Sequence, residues 1–258
     1  MTILFDSHKI HYTVCGQGPA VVFLHGFLED LNIWDTITAE LKDHCQIICI
    51  DLPGHGLSPA LKEIHSMERY AQIVHSLLAT LNASTALIVG HSMGGYVALA
   101  LTHQAPEVVC GLLLINTTPD KDNNARKENR NRALRIIKTQ AQAFVSMAIE
   151  NLCDPATSHR YVSEIAALKK RALSCDVKGL EQTIIGLRDR NDRNEILRQF
   201  QGRKHLIMGD KDPLISEKKA RQINQKTGSS LTLVSGGHMT WLEAPEAIIE
   251  RVKILLKA

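Results

Sequence analysis

The chain has 258 residues, of which 44% are hydrophobic, a composition that suits one large α/β domain or two small ones with a real core. Lysine and arginine total 30 against 27 acidic residues, and a formal net charge of +3 excludes a strong field of the kind that gathers nucleic acid or anionic lipid. No apolar run approaches the ~18 residues that cross a bilayer, and the N-terminus lacks the pattern of a signal peptide. We therefore expect a cytoplasmic protein without nucleic-acid or membrane partners, and make no prediction about its oligomeric state.

Short apolar runs alternate with helical patterns along the chain. "ILF" and "IHYTV" predict a small antiparallel start, and "AVVFL" follows them as a third strand. The later runs are nearly continuous in apolar residues, which is typical of strands covered by helices on both faces: "QIICID", "ALIVG", "GLLLIN", "KHLIMG" and "SLTLV". Amphipathic stretches lie between several of them, one beginning with the N-cap signal Ser66. The βαβα order predicts an open, mostly parallel sheet.

The segment from about Thr117 to Phe200 contains no convincing strand, only polar and amphipathic helical patterns. Within it, Asp154 and Pro155 are typical of an N-cap and a first helical position. We interpret the segment as an insertion that divides the chain into a core of residues 1–116 and 201–258 and a helical cap of residues 117–200. An insertion between two strands of the sheet is expected to lie over the loops at the sheet's edge and act as a lid; a bundle with no part in binding is the alternative.

The six cysteines are scattered and form no C-x-x-C unit with metal-ligand spacing. We expect reduced thiols and no metal site. Cys45 and Cys49 lie four residues apart in "CQIICI", on one face of a predicted strand, and are interpreted as packed side chains.

Ser92 lies at the centre of Gly90-His91-Ser92-Met93-Gly94, between a predicted strand and a helix. A strand-to-helix turn this sharp forces its middle residue into a strained conformation, and the flanking glycines relieve the crowding. The hydroxyl is then presented at the carboxyl edge of the sheet, with the Met93 N–H as a donor to an oxyanion. The alternative is a glycine-rich packing turn or phosphate cradle, but neither G-x-G-x-x-G nor a P-loop Lys-Ser/Thr pair is present.

Two downstream loops offer the base and the acid that a serine nucleophile requires. "MGDKDPLI" follows one predicted strand and presents Asp210 and Asp212, and "SGGHMTW" follows the last strand and presents His238. Catalytic groups gather at the carboxyl ends of strands in open α/β sheets, so we expect Ser92, His238 and an aspartate at one edge. Of the twelve histidines, His238 is the best candidate for the base.

A fourth strand end, "VVFLHGF", adds a second candidate oxyanion donor, the N–H of Phe27. We interpret His25 as a loop histidine whose hydrogen bonds to the backbone hold this donor in place. His91 is interpreted as a support of the turn around Ser92.

Together these segments resemble the α/β-hydrolase superfamily over nearly the whole chain: "VVFLHGF", "DLPGHGLS", "LIVGHSMGG", "MGDKDPLI" and "GGHMTWLEAPE" occur in the family's order. The resemblance implies an α/β-hydrolase fold, a mostly parallel eight-stranded sheet flanked by helices, with residues 117–200 as an inserted helical cap. It implies Asp212 as the acid, because the family's acid closes a G-x-x-D pattern, and leaves Asp210 as a turn residue. Some members carry the acid after the sixth strand instead, where this chain has Asn116.

The chemistry implied by the resemblance is hydrolysis of a small carboxylic ester, lactone or thioester through a triad of Ser92, His238 and Asp212. The N–H groups of Phe27 and Met93 would hold the oxyanion, and water would hydrolyse the acyl-enzyme. The partner is a small-molecule substrate, and the mechanism requires no metal and no organic cofactor. Two alternatives stay open: hydrolysis of a carbon–carbon bond or an enol-lactone in an acidic metabolite, and a small-molecule receptor with a slow triad.

A basic stretch from Lys121 to Lys138, "KDNNARKENRNRALRIIK", has two interpretations. It forms a solvated helix face, or it lies over the pocket and receives an acidic substrate. The second interpretation predicts that neutral and carboxylate-bearing esters differ sharply in kcat/KM, and that substitution of Arg126, Arg130 or Arg135 removes the difference.

Overall fold

The computed structural model describes residues 1–257. Eight strands form one sheet: β1 (Thr2–Phe5), β2 (His8–Cys15), β3 (Ala20–Leu24), β4 (Gln46–Ile50), β5 (Ala86–His91), β6 (Val109–Ile115), β7 (Arg203–Gly209) and β8 (Ser230–Val234). Their spatial order is β1-β2-β4-β3-β5-β6-β7-β8. Strand β2 pairs antiparallel with β1 and β4, and all other pairs are parallel. The predicted strands, the antiparallel start and the mostly parallel sheet are therefore confirmed.

Ten α-helices lie in the described residues: α1 (Asp35–Leu41), α2 (Met67–Thr80), α3 (Met93–Gln104), α4 (Asn124–Glu150), α5 (Val162–Leu173), α6 (Val177–Asp189), α7 (Asn194–Gln199), α8 (Glu217–Thr227), α9 (Thr240–Glu243) and α10 (Pro245–Leu256). Ser66 Oγ accepts a hydrogen bond from Arg69 N–H, so the predicted N-cap of α2 is confirmed. None of the helices within residues 1–257 combines the length and the apolar character that crossing a bilayer requires.

The core has two layers, one on each face of the sheet. Along β3, Val22 and Leu24 pack into the layer that includes α2 and α3, whereas Val21 and Phe23 pack into the layer that includes α1 and α10. Because successive side chains point to opposite faces of a strand, a strand covered on both sides is apolar at every position. This explains the continuous apolar runs that the sequence shows.

The six cysteines carry free thiols, and Cys45 and Cys49 are buried, as predicted. Burial raises the pKa of the Cys45 thiol to about 11, which keeps it protonated at neutral pH. These two cysteines therefore act as packed, unreactive side chains.

Helices α4 to α7 fill the stretch between β6 and β7, and no strand lies there among the described residues. Helix α4 is interrupted at Gln140, whose φ of −141° and ψ of 48° are not helical. Helices α4 and α6 pack against each other, as do α4 and α5. The division of the chain into a core and a separate cap at residues 117 and 200 stays a prediction.

The predicted helix start at Asp154 and Pro155 is wrong, because α5 begins at Val162. Asp154 instead caps a turn, its Oδ1 accepting from Ala156 N–H at 2.9 Å. The backbone here is tied to the loop after β8 and to α9, since His238 N–H donates to the Leu152 carbonyl at 2.7 Å and Asp154 N–H donates to Glu243 of α9 at 2.9 Å. These long-range bonds hold the segment in a turn where local preference favours a helix.

A buried polar cluster fixes α6 to the core. Leu61 N–H donates to Nε2 of His65 at 3.0 Å, and Nδ1 of His65 lies 3.0 Å from Thr183 Oγ1 on α6. Since Nε2 accepts, the ring proton is on Nδ1 and is donated to Thr183. The Tyr70 hydroxyl lies 2.9 Å from both Thr183 Oγ1 and the Pro53 carbonyl, which joins α2 to the same cluster.

Candidate active site

Ser92 lies on a sharp turn between β5 and α3. Its φ of 49° and ψ of −110° are strained for a residue with a side chain, as the sequence predicts. Ser92 N–H donates to the Ile115 carbonyl of β6 at 2.9 Å, which anchors the turn to the sheet. A Cβ atom on Gly94 would lie 2.1 Å from the Leu24 carbonyl oxygen, so only glycine permits this approach of α3 to β3. The turn presents the Ser92 hydroxyl at the carboxyl edge of the sheet.

The structure brings together the three side chains that the sequence singles out. His238 Nε2 lies 2.9 Å from Ser92 Oγ, and His238 Nδ1 lies 2.8 Å from Asp212 Oδ2. His238 is 2% exposed and Asp212 8%, so water competes little for either hydrogen bond. With Nδ1–H donated to a carboxylate, Nε2 is the free acceptor that faces the serine hydroxyl.

Asp212 is held by backbone and side-chain donors. Its Oδ1 accepts from Leu214 N–H at 2.7 Å and Ile215 N–H at 3.1 Å, and its Oδ2 accepts from Asn116 Nδ2 at 2.8 Å. Burial by itself would raise the pKa of Asp212, but the charge of His238 and hydrogen bonds from His238, Asn116 and Leu214 hold that pKa below its ordinary value. The Asp212 carboxylate is therefore ionised at neutral pH.

Asp210 has a different place. Its Oδ1 accepts from Gly236 N–H at 3.2 Å in the turn after β8, and Asp212 is the aspartate that contacts His238. Asn116, at the end of β6, contributes through Asp212, a role that the sequence analysis did not foresee. Its position at a strand's carboxyl end was the available signal.

The backbone N–H groups of Phe27 and Met93 both belong to residues that line the cavity at Ser92. Within residues 1–257 neither amide donates to a protein atom, so both are available to a ligand oxygen. His25 makes the backbone contacts predicted for it: Nε2 accepts from Leu52 N–H at 3.0 Å, and Nδ1–H donates to the Gly26 carbonyl at 2.7 Å. These bonds fix the turn that carries Phe27.

A buried carboxylate that sequence reasoning missed, Glu29, lies beneath this turn. Its Oε2 accepts from Gly26 N–H at 2.5 Å and from His91 Nδ1 at 2.8 Å, and its Oε1 accepts from Trp241 Nε1–H at 3.0 Å. The other ring nitrogen of His91 donates to the His238 carbonyl at 2.8 Å. Because both nitrogens of His91 face acceptors, the ring is doubly protonated and cationic.

Glu29 and His91 are therefore a buried ion pair. Burial disfavours both charges, yet the attraction and hydrogen bonds between the two groups prevail, so that the pKa of Glu29 is lowered and the pKa of His91 is raised. The pair connects the Phe27 turn with the loop that carries His238. The signal in the sequence was an acidic residue two positions after the "HGF" turn.

A cavity of about 530 Å³ opens above Ser92 and His238. Most of its wall is apolar, with Phe27, Leu28, Phe144, Leu152 and Leu187 among the contributing side chains. Arg126, Asn129 and Arg130 of α4 form a polar wall of the cavity. This size and lining are typical of a site for a small molecule.

An open, mostly parallel sheet with a serine on a strand-to-helix elbow, met by an aspartate and a histidine from later strand ends, defines the α/β-hydrolase class of fold. The family model for the alpha/beta hydrolase fold matches residues 19–245, and the chain belongs to this family.

Three similar proteins illustrate the range of this family. The chain is 28% identical over 244 residues to the dihydrolipoyllysine-residue acetyltransferase component of an acetoin cleaving system from Pseudomonas putida, covering 93% of this chain and 64% of that protein. It is 34% identical over 110 residues to a pimeloyl-[acyl-carrier protein] methyl ester esterase from Nitrosomonas europaea, covering 43% and 42%. The solved structure of a thermophilic esterase from Thermogutta terrifontis, with malate bound, matches with a TM-score of 0.91 and 25% identity, covering 97% and 93%.

The curated relatives matched first are longer than this chain, which spans between 32% and 64% of their length.

Proposed function

We propose that this chain hydrolyses small carboxylic esters by acyl transfer through Ser92. The observation that carries the proposal is the pair of hydrogen bonds that links Ser92 Oγ to His238 Nε2 at 2.9 Å and His238 Nδ1 to Asp212 at 2.8 Å. Similarity to two proteins named as esterases supports the same reaction.

In the proposed mechanism His238 takes the hydroxyl proton of Ser92 while the oxygen attacks the ester carbonyl. Asp212 stabilises the imidazolium that forms. The N–H groups of Phe27 and Met93 hold the oxyanion of the tetrahedral intermediate, and each such donor is worth on the order of 10²–10³ in rate. His238 then protonates the leaving alcohol, and a water molecule activated by His238 hydrolyses the acyl-enzyme.

The substrate is proposed to be small, because the cavity above Ser92 holds about 530 Å³. Lactones and thioesters offer the same electrophilic carbonyl, so they belong to the same proposal. The reaction uses only side chains and backbone amides of this chain and water.

The test is hydrolysis of p-nitrophenyl esters from acetate to octanoate by the wild type and by Ser92→Ala. We expect activity in the wild type and its loss in the variant, with a preference for the chain lengths that fit the cavity. Full activity of Ser92→Ala would overturn the mechanism. Turnover below about 0.01 s⁻¹ on every ester, against about 1–10³ s⁻¹ for ordinary enzymes, would favour a receptor instead.

A further inference from the structure

We propose that the polar wall of the cavity binds a carboxylate of the substrate, so that the preferred esters carry a free carboxylate remote from the scissile bond. This inference rests on the proposed ester hydrolysis and adds the class of ester. It is carried by the placement and the charge balance of Arg126 and Arg130 on helix α4.

Helix α4 divides the basic stretch of the sequence between two faces. Arg126, Asn129, Arg130 and Ala133 recur at helical spacing and all line the cavity. Arg135 lies on the outer face, where its side chain is 67% exposed and pairs with Glu128. The two interpretations of the stretch thus apply to different residues: Arg135 belongs to a solvated face, while Arg126 and Arg130 face the cavity.

Arg126 has no carboxylate partner within residues 1–257. Its Nη2–H donates to the Leu214 carbonyl at 2.5 Å, which orients the guanidinium against the loop that also carries Asp212. A guanidinium has five N–H donors in a planar fork that matches a carboxylate. Most donors of Arg126 are therefore available to a ligand in the cavity.

Arg130 is only partly neutralised. Its Nε lies 3.2 Å from Asp122 Oδ2, but Asp122 also pairs with Arg190, whose Nη1 lies 2.6 Å from Oδ1. One fully buried carboxylate thus faces two guanidinium groups, which leaves one positive charge in excess. This excess adds to the charge of Arg126 on the same wall.

No other group among the cavity-lining residues compensates this charge. Glu29 is the acidic residue that lines the cavity, and it is engaged by His91 at 2.8 Å. Since the remaining wall is mostly apolar, the attraction between a guanidinium and a substrate carboxylate is screened less here than in water. The apolar side chains that line the same cavity then contact the hydrocarbon part that separates the carboxylate from the ester.

The kinetic test compares matched esters. Monomethyl adipate and methyl hexanoate differ in having a carboxylate or a methyl group at the end of the acyl chain. Acetoxyhexanoate with its acetoxy group at the chain end and hexyl acetate differ in the same way at the end of the alcohol, so the two pairs show which side of the ester carries the carboxylate. We expect kcat/KM to favour the charged member of one pair by about tenfold or more, as for a charge-assisted hydrogen bond. Arg126→Gln and Arg130→Gln should each reduce this ratio severalfold, and Arg126→Lys should restore part of it.

Arg135→Gln is the matched control, since it removes the same charge from the outer face of the same helix. We expect it to keep the wild-type ratio. The carboxylate site would be overturned if the wild type had nearly the same kcat/KM for the charged and the neutral ester in both pairs. It would also be overturned if Arg135→Gln reduced the ratio of the two kcat/KM values as much as Arg126→Gln does.

A binding experiment separates this inference from the proposed hydrolysis. If the wild type hydrolyses no ester, the proposed function fails, and calorimetry on Ser92→Ala decides the carboxylate site. Monomethyl adipate or acetoxyhexanoate should then bind at least about tenfold more tightly than its neutral partner, and Arg126→Gln in the Ser92→Ala background should remove the difference. Equal affinities for charged and neutral esters would overturn the inference.

Discussion

Glu29 and His91 form an ion pair 2.8 Å long whose side chains are only 2% and 1% exposed. Taking two charges out of water is costly, and such a pair persists only where further hydrogen bonds satisfy both groups. The Glu29 carboxylate also accepts hydrogen bonds from Gly26 N–H and Trp241 Nε1–H, and the second ring nitrogen of His91 donates to the His238 carbonyl. The pair thereby holds the turn that carries Phe27 and the loop that carries His238 in one geometry.

Glu29→Gln should lower kcat by about 10²-fold with a smaller change in KM, because misplacing reacting groups by about 1 Å has an effect of this size. It should also lower the free energy of unfolding by about 3–5 kcal/mol, the usual cost of removing one partner of a buried pair. Ester hydrolysis and urea denaturation measure both. The double variant Glu29→Gln/His91→Gln leaves no unpaired cation, so we expect it to lose less stability than the two single variants together. A loss equal to the sum of the two single losses would contradict the ion pair.

The ion pair has its own dependence on pH. Because the pKa of His91 is raised above its ordinary value of 6.5, the stabilisation is fully present below pH 6.5 and is lost as the pH rises through the folded-state pKa. Because the pKa of Glu29 is lowered from 4.5, the stabilisation that the Glu29 carboxylate contributes is present above pH 4.5 and is lost as the pH falls through its folded-state pKa. We expect a double-mutant cycle, measured by unfolding at several pH values, to show its largest coupling between these limits and a smaller one at alkaline pH.

His65 should make the protein less stable in mild acid. Burial lowers the pKa of His65 from 6.5 to about 4, so the unfolded chain binds a proton below pH 6.5 that the folded chain takes up only near pH 4. The free energy of unfolding should therefore fall as the pH decreases through this window. In His65→Gln the side-chain amide is able to accept from Leu61 N–H without titrating, and denaturation between pH 4 and 6.5 should show a weaker dependence. An unchanged slope would contradict this role of His65.

Asp212→Asn and Asp210→Asn form a matched pair two residues apart. Asp212→Asn should lower kcat by about 10⁴-fold, because an amide favours the wrong tautomer of His238 and does not stabilise its positive charge. Asp210→Asn should change kcat by less than about threefold, since Asp210 caps a turn and does not contact His238. Initial rates with one ester are sufficient, and equal effects of the two substitutions would refute the assignment of the acid.

Gly94→Ala should destabilise the fold by about 1–3 kcal/mol or more and abolish activity, because the new methyl group overlaps with the Leu24 carbonyl at 2.1 Å. Gly228 provides the control, since a Cβ there meets no atom within 4 Å although its φ is 68°. Gly228→Asn should cost less than about 1 kcal/mol, because asparagine tolerates this conformation. Thermal unfolding compares the two, and a harmless Gly94→Ala would contradict the close approach of α3 to β3.

Much of this protein was predictable from short stretches of sequence. Strands covered on both faces are mostly apolar, and β3 to β7 appear in the sequence as nearly continuous apolar runs, whereas β2 mixes polar and apolar residues along HKIHYTVC. The sharp turn at Ser92 was also predictable, since a strained residue at a strand-to-helix junction requires glycines at fixed offsets. His238 and Asp212 followed from the rule that parallel strands bring their carboxyl ends to one edge.

Contacts between distant segments decided the rest. Local preference favours a helix start at Asp154, but hydrogen bonds to the loop after β8 and to α9 hold a turn there. Helical periodicity places Arg126 and Arg135 on opposite faces of α4, but it does not say which face meets a cavity. The tertiary packing of α4 decides that Arg126 lines the cavity and that Arg135 lies in water. Glu29 and His91 are 62 positions apart, and their charges become a structural element only where the fold removes water from both. The sequence by itself determined which segments form the sheet and which residues lie at its carboxyl edge, because these depend on local pattern and strand polarity. The tertiary structure decided which polar groups meet, because a hydrogen bond needs atoms within about 3 Å of each other.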